Sequence, residues 1–542
     1  MPIRSSFSVT AQSPATPFRP KFDGLSRIGS FAGLLVLLTL SGCAQLPEDN
    51  QHPNMMDGQQ LSAAQSLQTA SANDQTPWPT AQWWTRYQDS QLNQLINEAL
   101  ANSPDMTVAA ARVRAAAAFS DVTSAALKPD VSANVNITKQ KQSYNYLTPD
   151  AFTPQGWNNY GLATLNLNWE IDFWGKNSAA LASATSSLLA SQAELADARL
   201  TLAANVATRY AELAQLFSQR DTLERALKIR SQTLQLISER YDNGLETLGS
   251  RYRTEARKAN AENDLLQMDE SIALKRNQLA ALLGQGPARG ESIARPAFTL
   301  DKAFGLPQQV QLNLLGHRPD ITAARLQVEA LQSEAESRQA AFYPNVNLSA
   351  YFGLQSIYLD QLTDSGSTVG SISPAISLPI FNGGRLRAQL RQTRAQYDQA
   401  VGSYNRTVTH ALQQVADTAV SQKALGQQID KAEEAYAASQ KAFDIARNRY
   451  EGGLDSYLDV LSAEDLLLGS LQNLTNLNSR SLILDVAMQR ALGGGYVESQ
   501  NAPQSEPQNT TQHEPSSNAT TTSISHYSGS TQTAADEQVF GA

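Results

Sequence analysis

The side chains of this sequence that could do chemistry are few, and most of them lie in two short stretches. Arg449-Tyr450-Glu451-Gly452-Gly453-Leu454-Asp455-Ser456-Tyr457-Leu458-Asp459 sets two carboxylates, Asp455 and Asp459, close behind Tyr450. Arg240-Tyr241-Asp242-Asn243-Gly244-Leu245-Glu246-Thr247 reads almost the same, 209 residues earlier (453 − 244). Taken alone, Asp459 is an ordinary solvated acid one turn beyond a helix start. No Gly-rich phosphate loop followed by Lys-Ser/Thr, no His-Glu-x-x-His and no Gly-x-Ser-x-Gly occurs. The histidines His52, His317, His410, His513 and His526 are scattered, and His317 falls where a helix start is expected, so its default role is structural. The single cysteine, Cys43, allows no internal disulfide and no Cys-based metal site. No enzymatic activity, cofactor or metal is expected.

The elements around these stretches explain their position. Both sit inside long proline-free runs with apolar residues at helical spacing, and a Gly there costs about 1 kcal/mol against Ala. A repeated Gly in such a place marks a helix turning back, so each stretch reads as the closed end of a long helical hairpin. Leu227, Leu234, Tyr241 and Leu248 stand seven apart, interleaved with Leu223 and Ile237; Ile429, Tyr436, Phe443 and Tyr450 do the same, with Leu425, Ala432, Ser439 and Ala446 between them. Seven-residue spacing predicts coiled-coil packing. The outgoing helix spans roughly 100 Å at ~1.5 Å per residue. The returning one covers little more than half of that, and the helix before the strands can supply the remainder by stacking end to end with it.

Between the helices the period drops to two. Val131, Ala133, Val135 and Ile137 alternate with Ser132, Asn134, Asn136 and Thr138, and Ala163, Leu165, Leu167, Trp169 and Ile171 alternate with Thr164, Asn166, Asn168 and Glu170. The pattern returns at Val346–Leu354 and at Ile372–Ile380, the latter weakened by Pro374 and Pro379. One apolar and one polar face suit a membrane barrel wall as well as a soluble sheet. Two repeats follow: 78–284, with strands near 131–139 and 160–172 and a tip at 241–249; and 310–495, with strands near 345–354 and 370–381 and a tip at 450–459. A Gly/Pro-marked connector, 285–309, joins them. Asn102-Ser103-Pro104-Asp105 and His317-Arg318-Pro319-Asp320 open matching helices. Residues 496–542, rich in Ser, Thr, Gln and Asn, read as a disordered tail.

At the other end, Arg4, Arg19, Lys21 and Arg27 precede an apolar run over 28–40 that is too short to span a bilayer and suits a signal-peptide core. Leu40-Ser41-Gly42-Cys43 is similar to the bacterial lipoprotein box, which makes 1–42 a leader, Cys43 the lipidated N-terminus and 43–77 a polar tether. Ala44 follows, with no aspartate resembling the inner-membrane retention signal, so the outer membrane is the expected address. The formal charge is −9, and without the leader (net +3) it becomes −12; an acidic chain lacking basic clusters gives no support to nucleic-acid binding.

Helix, strand pair and long hairpin, then the whole unit again behind a lipoprotein signal: the chain resembles the outer membrane factor family, the TolC- and OprM-like channels, and within it the lipoprotein branch of efflux subunits. The motifs that carry this are Trp83-Trp84, the paired Tyr-x-x-Gly-Leu turns, Pro344 before the third strand, Leu378-Pro379-Ile380-Phe381-Asn382-Gly383-Gly384-Arg385 and Leu492-Gly493-Gly494-Gly495. The resemblance implies a mainly α fold with a membrane β-barrel: a homotrimer in which twelve strands form one outer-membrane barrel and twelve helices a periplasmic tunnel. Physical reasoning supports the oligomer, since four strands cannot close a barrel and an open edge in lipid is forbidden.

The resemblance further implies that Gly244, Leu245, Thr247, Gly453, Leu454 and Ser456 meet a periplasmic adaptor, itself joined to an inner-membrane pump. Tyr450, Asp455 and Asp459 would line the periplasmic entrance, with Tyr450 in a latch and Asp459 in a ring of carboxylates that attracts cations. The implied function is the outer-membrane channel of a tripartite efflux pump, passive in itself. Alternatives are the exit duct of a type I protein secretion system and, in another class, a structural periplasmic coiled-coil lipoprotein.

Overall fold

In a computed structural model, residues 52–56, 77–145, 149–297, 305 and 310–498 are described. Cys43, the leader, most of the tether and nearly all of the C-terminal tail lie outside them. A 3-10 turn, Trp83–Tyr87, leads into α1 (Ser90–Asn102), α2 (Pro104–Ala125), β1 (Asp130–Gln140), β2 (Asn158–Ile171), α3 (Lys176–Asp242) and α4 (Leu248–Leu282). A short α5 (Pro287–Glu291) precedes the second round: α6 (Val310–His317), α7 (Pro319–Ala340), β3 (Asn345–Ser356), β4 (Thr368–Ser377), α8 (Arg385–Glu451) and α9 (Tyr457–Ala491). The duplication is visible in the lengths. α2 and α7 each have 22 residues, α3 and α8 each 67, and α4 and α9 each 35.

The short helices meet end to end. Gly284, at φ +70°, closes α4 so near the start of α2 that a Cβ would stand 2.6 Å from the Asn102 carbonyl oxygen. Gly493, at φ +86°, ends α9 with only 1.8 Å for a Cβ before the His317 carbonyl oxygen. Backbone therefore packs on backbone at both junctions, which only glycine permits. α3 packs against both α2 and α4, and α8 against both α7 and α9, so each long helix is faced by a two-piece strut.

The core beside these junctions is tightly filled. Tyr87, Leu95, Ile96, Tyr210, Leu213, Leu279, Leu283 and Ile293 cluster in the first repeat, with Trp83 and Trp84 packed among them. The fully buried Asp485 accepts hydrogen bonds from Arg86 Nη1 and from Tyr87 Oη, each at 2.7 Å. Leu314, Ile321, Val401, Val415, Met488 and Leu492 form the counterpart in the second repeat. His317 stacks on Trp78 with ring centroids 4.1 Å apart, a structural contact.

Two local expectations are revised, in α3 and at the end of β4. Ser103 stands at the N-cap of α2 but its side chain bonds no backbone N–H; Pro104 at the first helical position already removes one of the donors that need a partner. In α3 the buried seam is Thr222, Ala226, Thr233 and Ile237 rather than the Leu227–Leu234 ladder, whose leucines stay half-buried. Small threonine and alanine side chains let the neighbouring helix approach more closely than leucine would. In α8, Leu425, Ala432, Ser439, Phe443 and Tyr450 are buried as the spacing suggests. β4 ends at Ser377, ahead of Pro379, which has no N–H to extend a ladder. Ile380 and Phe381 beyond it are about 90% exposed.

The strands form one antiparallel sheet in the order β1-β2-β3-β4. Ala133 pairs with Leu165, Leu165 with Phe352, Leu348 with Pro374 and Val346 with Ile376. Since side chains alternate faces, this register gathers the apolar residues of all four strands on one side. The other side carries Asn134, Asn136, Asn166, Asn168, Asn347, Ser349, Ser371 and Ser373. Among the described residues no helix covers the apolar side: Val135 is 73%, Ile372 76% and Ile376 75% exposed. β1 and β4 each keep an unpaired edge.

Candidate functional site: the paired helix tips

Each tip is built by the same backbone device. After α3, Gly244 takes φ +76°, its N–H donates to the Tyr241 carbonyl at 2.9 Å, and Leu245 N–H donates to the Arg240 carbonyl at 2.8 Å. After α8, Gly453 takes φ +75°, with Gly453 N–H on the Tyr450 carbonyl at 2.9 Å and Leu454 N–H on the Arg449 carbonyl at 2.8 Å. This is the left-handed helix stop that glycine favours. Leu245 and Leu454 then project outward, 65% and 72% exposed. Nothing lies within 4 Å of where a Cβ on either glycine would sit, so both tips end in open space.

The helices restart with different caps. Thr247 accepts from Ser250 N–H at 3.1 Å. Ser456 and Asp459 form a reciprocal capping box, in which Asp459 Oδ2 accepts from Ser456 N–H at 3.1 Å and from its hydroxyl at 2.6 Å. Those hydrogen bonds hold the Asp459 carboxyl below the usual carboxylate range. Asp459 is thus a charged, exposed cap in the single chain. Ser250 stands in its place in the first repeat, and there Glu246 supplies the carboxylate instead, accepting from Thr247 N–H at 2.9 Å.

Tyr450 is where the two tips join. It is only 2% exposed. Arg240 lays its guanidinium 4.5 Å from the Tyr450 ring centroid and donates from Nη1 to the Tyr450 carbonyl at 3.0 Å. The Tyr450 hydroxyl donates to Glu246 Oε1 at 3.1 Å. Burial first, then the Glu246 carboxylate, push the phenol well above its ordinary value. Burial opposes the charge on Glu246, but hydrogen bonds from Thr247 N–H, Ser250 and Tyr450 outweigh it and keep that acid low. The twin residues do not reciprocate. Arg449 grips Asp455 within its own tip, at 2.7 and 3.0 Å. The Tyr457 hydroxyl hydrogen-bonds Thr254, and Tyr457 packs with Ile237, Phe443, Tyr450, Val460, Leu461 and Leu467 in a small core just above the tips.

Further up the same bundle, Glu464 is fully buried between α9 and α3. Thr233 donates to its Oε2 at 3.0 Å, and Arg230 Nε stands 3.7 Å from Oε1. Desolvation raises its pKa. Arg257 clasps the adjacent Asp465 at 2.8 and 3.2 Å, tying α4 to α9.

The structure thus gathers Tyr450, Asp455, Asp459, Gly244, Leu245, Thr247, Gly453, Leu454 and Ser456 at one end of the molecule. Arg240, Glu246, Thr254 and Glu464 were not singled out as site residues from the sequence. A signal for two of them existed: Arg240 and Glu246 occupy the places of Arg449 and Asp455 in the twin tip. Among the described residues there is no cluster of three or more His, Cys, Asp or Glu able to hold a metal ion, and no helix long and apolar enough to cross a membrane.

Comparison with known proteins accords with this geometry. Residues 95–285 and 312–494 match the outer membrane efflux protein family. The fusaric acid resistance protein FusA of Burkholderia cepacia is 34% identical over 373 residues, 68% of this chain and 69% of that protein. The multidrug resistance outer membrane protein MdtP of Escherichia coli K12 is 29% identical over 464 residues, 84% of this chain and 94% of that one. Among solved structures, the outer membrane protein VceC of Vibrio cholerae is 48% identical and superposes with a TM-score of 0.74, covering 77% of this chain and all of VceC. The chain therefore belongs to the outer membrane efflux protein family, and is an outer-membrane channel rather than an enzyme.

Proposed function

We propose that this protein is the outer-membrane channel subunit of a tripartite efflux pump, a homotrimer that passively conducts small organic compounds from a periplasmic adaptor and inner-membrane pump to the exterior. The sheet is the observation that carries the reading. A four-stranded ribbon with one lipid-compatible face, one polar face and two unpaired edges is stable in a bilayer only when copies join edge to edge, and three copies give twelve strands. The polar residues then line the lumen. The helices below continue the duct into the periplasm, and the six tips present Gly244, Leu245, Thr247, Gly453, Leu454 and Ser456 to the adaptor. Cys43 carries the lipid anchor. Asp459, brought near the axis by threefold symmetry, rings the entrance with carboxylates, while the Arg240–Tyr450–Glu246 tie keeps neighbouring tips together.

The names of FusA and MdtP speak of resistance to fusaric acid and to multiple drugs, which favours small-molecule cargo over secreted protein. Single-channel recording on detergent-purified protein, paired with mass by light scattering, is the test. A trimer that conducts is expected. A monomer whose strand residues react with aqueous labels, and which conducts nothing, would leave only the structural-lipoprotein alternative.

A further inference from the structure

One face of α8 holds residues 52–56 of the tether. His52 Nδ1 lies 2.7 Å from Asp398 Oδ1, and its ring meets Tyr397 edge-on at 5.6 Å. Met56 N–H donates to Asn405 Oδ1 at 2.7 Å, Asn405 Nδ2 donates to the Asn54 carbonyl at 3.1 Å, and the Thr409 hydroxyl points at the Met56 sulfur. His52 is thus level with Asp398 and Met56 with Thr409. The segment runs parallel to α8, and its N-terminal end points toward the sheet.

Above Asp398, at helical spacing on the same face, stand Arg394, Arg391 and Arg387. Arg391 and Arg387 are exposed. The residues that precede His52 are Cys43-Ala44-Gln45-Leu46-Pro47-Glu48-Asp49-Asn50-Gln51, with two acids and no cation. We propose that this basic stripe is the docking face of residues 43–51, with Asp49 and Glu48 seated on Arg394 and Arg391, and that it fixes the height of residue 43 on the channel wall.

The lengths agree. A chain extended at ~3.3 Å per residue would carry Asp49 and Glu48 at most roughly 10 and 13 Å beyond His52. Arg394 and Arg391 rise about 6 and 10 Å above Asp398 at ~1.5 Å per residue, within reach of long arginine side chains. Nine residues (52 − 43) span at most about 30 Å. The start of α8, 13 residues (398 − 385) above Asp398, is about 20 Å up. Residue 43 therefore stops no more than about 10 Å past the helix start. Exposed aromatic and apolar side chains, Trp174, Ile380 and Phe381, stand there at the base of the sheet, where a bilayer interface belongs. A lipid on Cys43, which rests on the lipoprotein reading above, would enter the membrane at that level; the docking of Glu48 and Asp49 does not depend on it.

A charge-swap experiment on the full-length membrane protein tests this, with hydrogen–deuterium exchange read on peptides covering 44–56. Arg391→Glu with Arg394→Glu, and separately Glu48→Arg with Asp49→Arg, each turn attraction into repulsion and are expected to speed exchange roughly tenfold. The fourfold variant restores the pairing with signs exchanged and is expected to recover the protection. Unchanged exchange in the double reversals, or no recovery in the fourfold variant, overturns the proposal. Unchanged exchange together with loss of co-purifying anionic phospholipid would assign the stripe to lipid headgroups instead. Intact mass of the N-terminal peptide reads the lipid separately: an unlipidated Cys43 with the swap pattern preserved removes the anchor and leaves the docking standing.

Discussion

Tyr450 concentrates the chemistry of the tips because three interactions of different kinds converge on one buried ring. Removing the hydroxyl in Tyr450→Phe leaves Glu246 short of a donor, while Arg240→Ala removes the stacked cation and the bond to the Tyr450 carbonyl together. Both variants are expected to raise single-channel conductance in planar bilayers, Arg240→Ala by more; conductance equal to wild type in both would separate this tie from gating. Asp459 can be tested with its cap preserved. Asp459→Asn keeps an oxygen to accept from Ser456 but loses the charge, so block by divalent cations is expected to vanish while the helix stays formed. Because its capping hydrogen bonds keep the wild-type carboxyl low, the charge is present above the ordinary carboxylate range and is lost only as pH falls through the lowered value. Wild-type block is therefore expected to outlast, as pH falls, the protonation of an unperturbed carboxylate, and block lost before that point would place the binding charge elsewhere.

Among elements, the contrast lies between the continuous long helices and their two-piece partners. Gly493→Ala forces a methyl group against the His317 carbonyl at a left-handed φ, and a loss of more than about 2 kcal/mol is expected, seen as a lower melting temperature. Glu464 contributes with the opposite pH sign to Asp459. Its folded pKa is raised by burial, so its penalty is absent while both states are protonated and grows as pH rises from its unfolded value through its folded one. Glu464→Gln is expected to slow hydrogen exchange over residues 457–470 at pH 7 and to leave it unchanged at pH 4. The long hairpins were legible in the sequence because Gly244 and Gly453 interrupt otherwise regular seven-residue patterns. The end-to-end stacking was legible as well, from the shortfall in length of the returning helix. The cross-tip tie was not, since which arginine reaches Tyr450 depends on how α3 and α8 converge, and spacing along one chain carries no information about that. Thr222 and Thr233 escaped notice for a related reason: seam positions of a close helix pair select small side chains, whereas a search for leucine ladders finds large ones.

For the molecule as a whole, the sheet sets the terms of assembly. Ile372→Lys places a charge on the uncovered apolar face, where a midplane lysine costs about 2–4 kcal/mol, and is expected to lower the yield of trimer in outer-membrane fractions. Ser373→Lys, one residue on and facing the polar side, is expected to assemble normally; equal yields would argue against lipid on the apolar face. Strand alternation was readable residue by residue, down to which side each asparagine takes, because the period of two is a property of the backbone itself. The early stop of β4 needed the ladder to be seen.

The glycine junctions at Gly284 and Gly493 carry one more consequence. On one side of each hairpin the wall is a single unbroken rod; on the other it is two rods butted together with no covalent bond across the joint. Such a wall bends like jointed cane. Packing alone, not the chain, ties α4 to α2 and α9 to α7, so a dilation at the bottom of the channel would find its pivot at the level where the short helices touch.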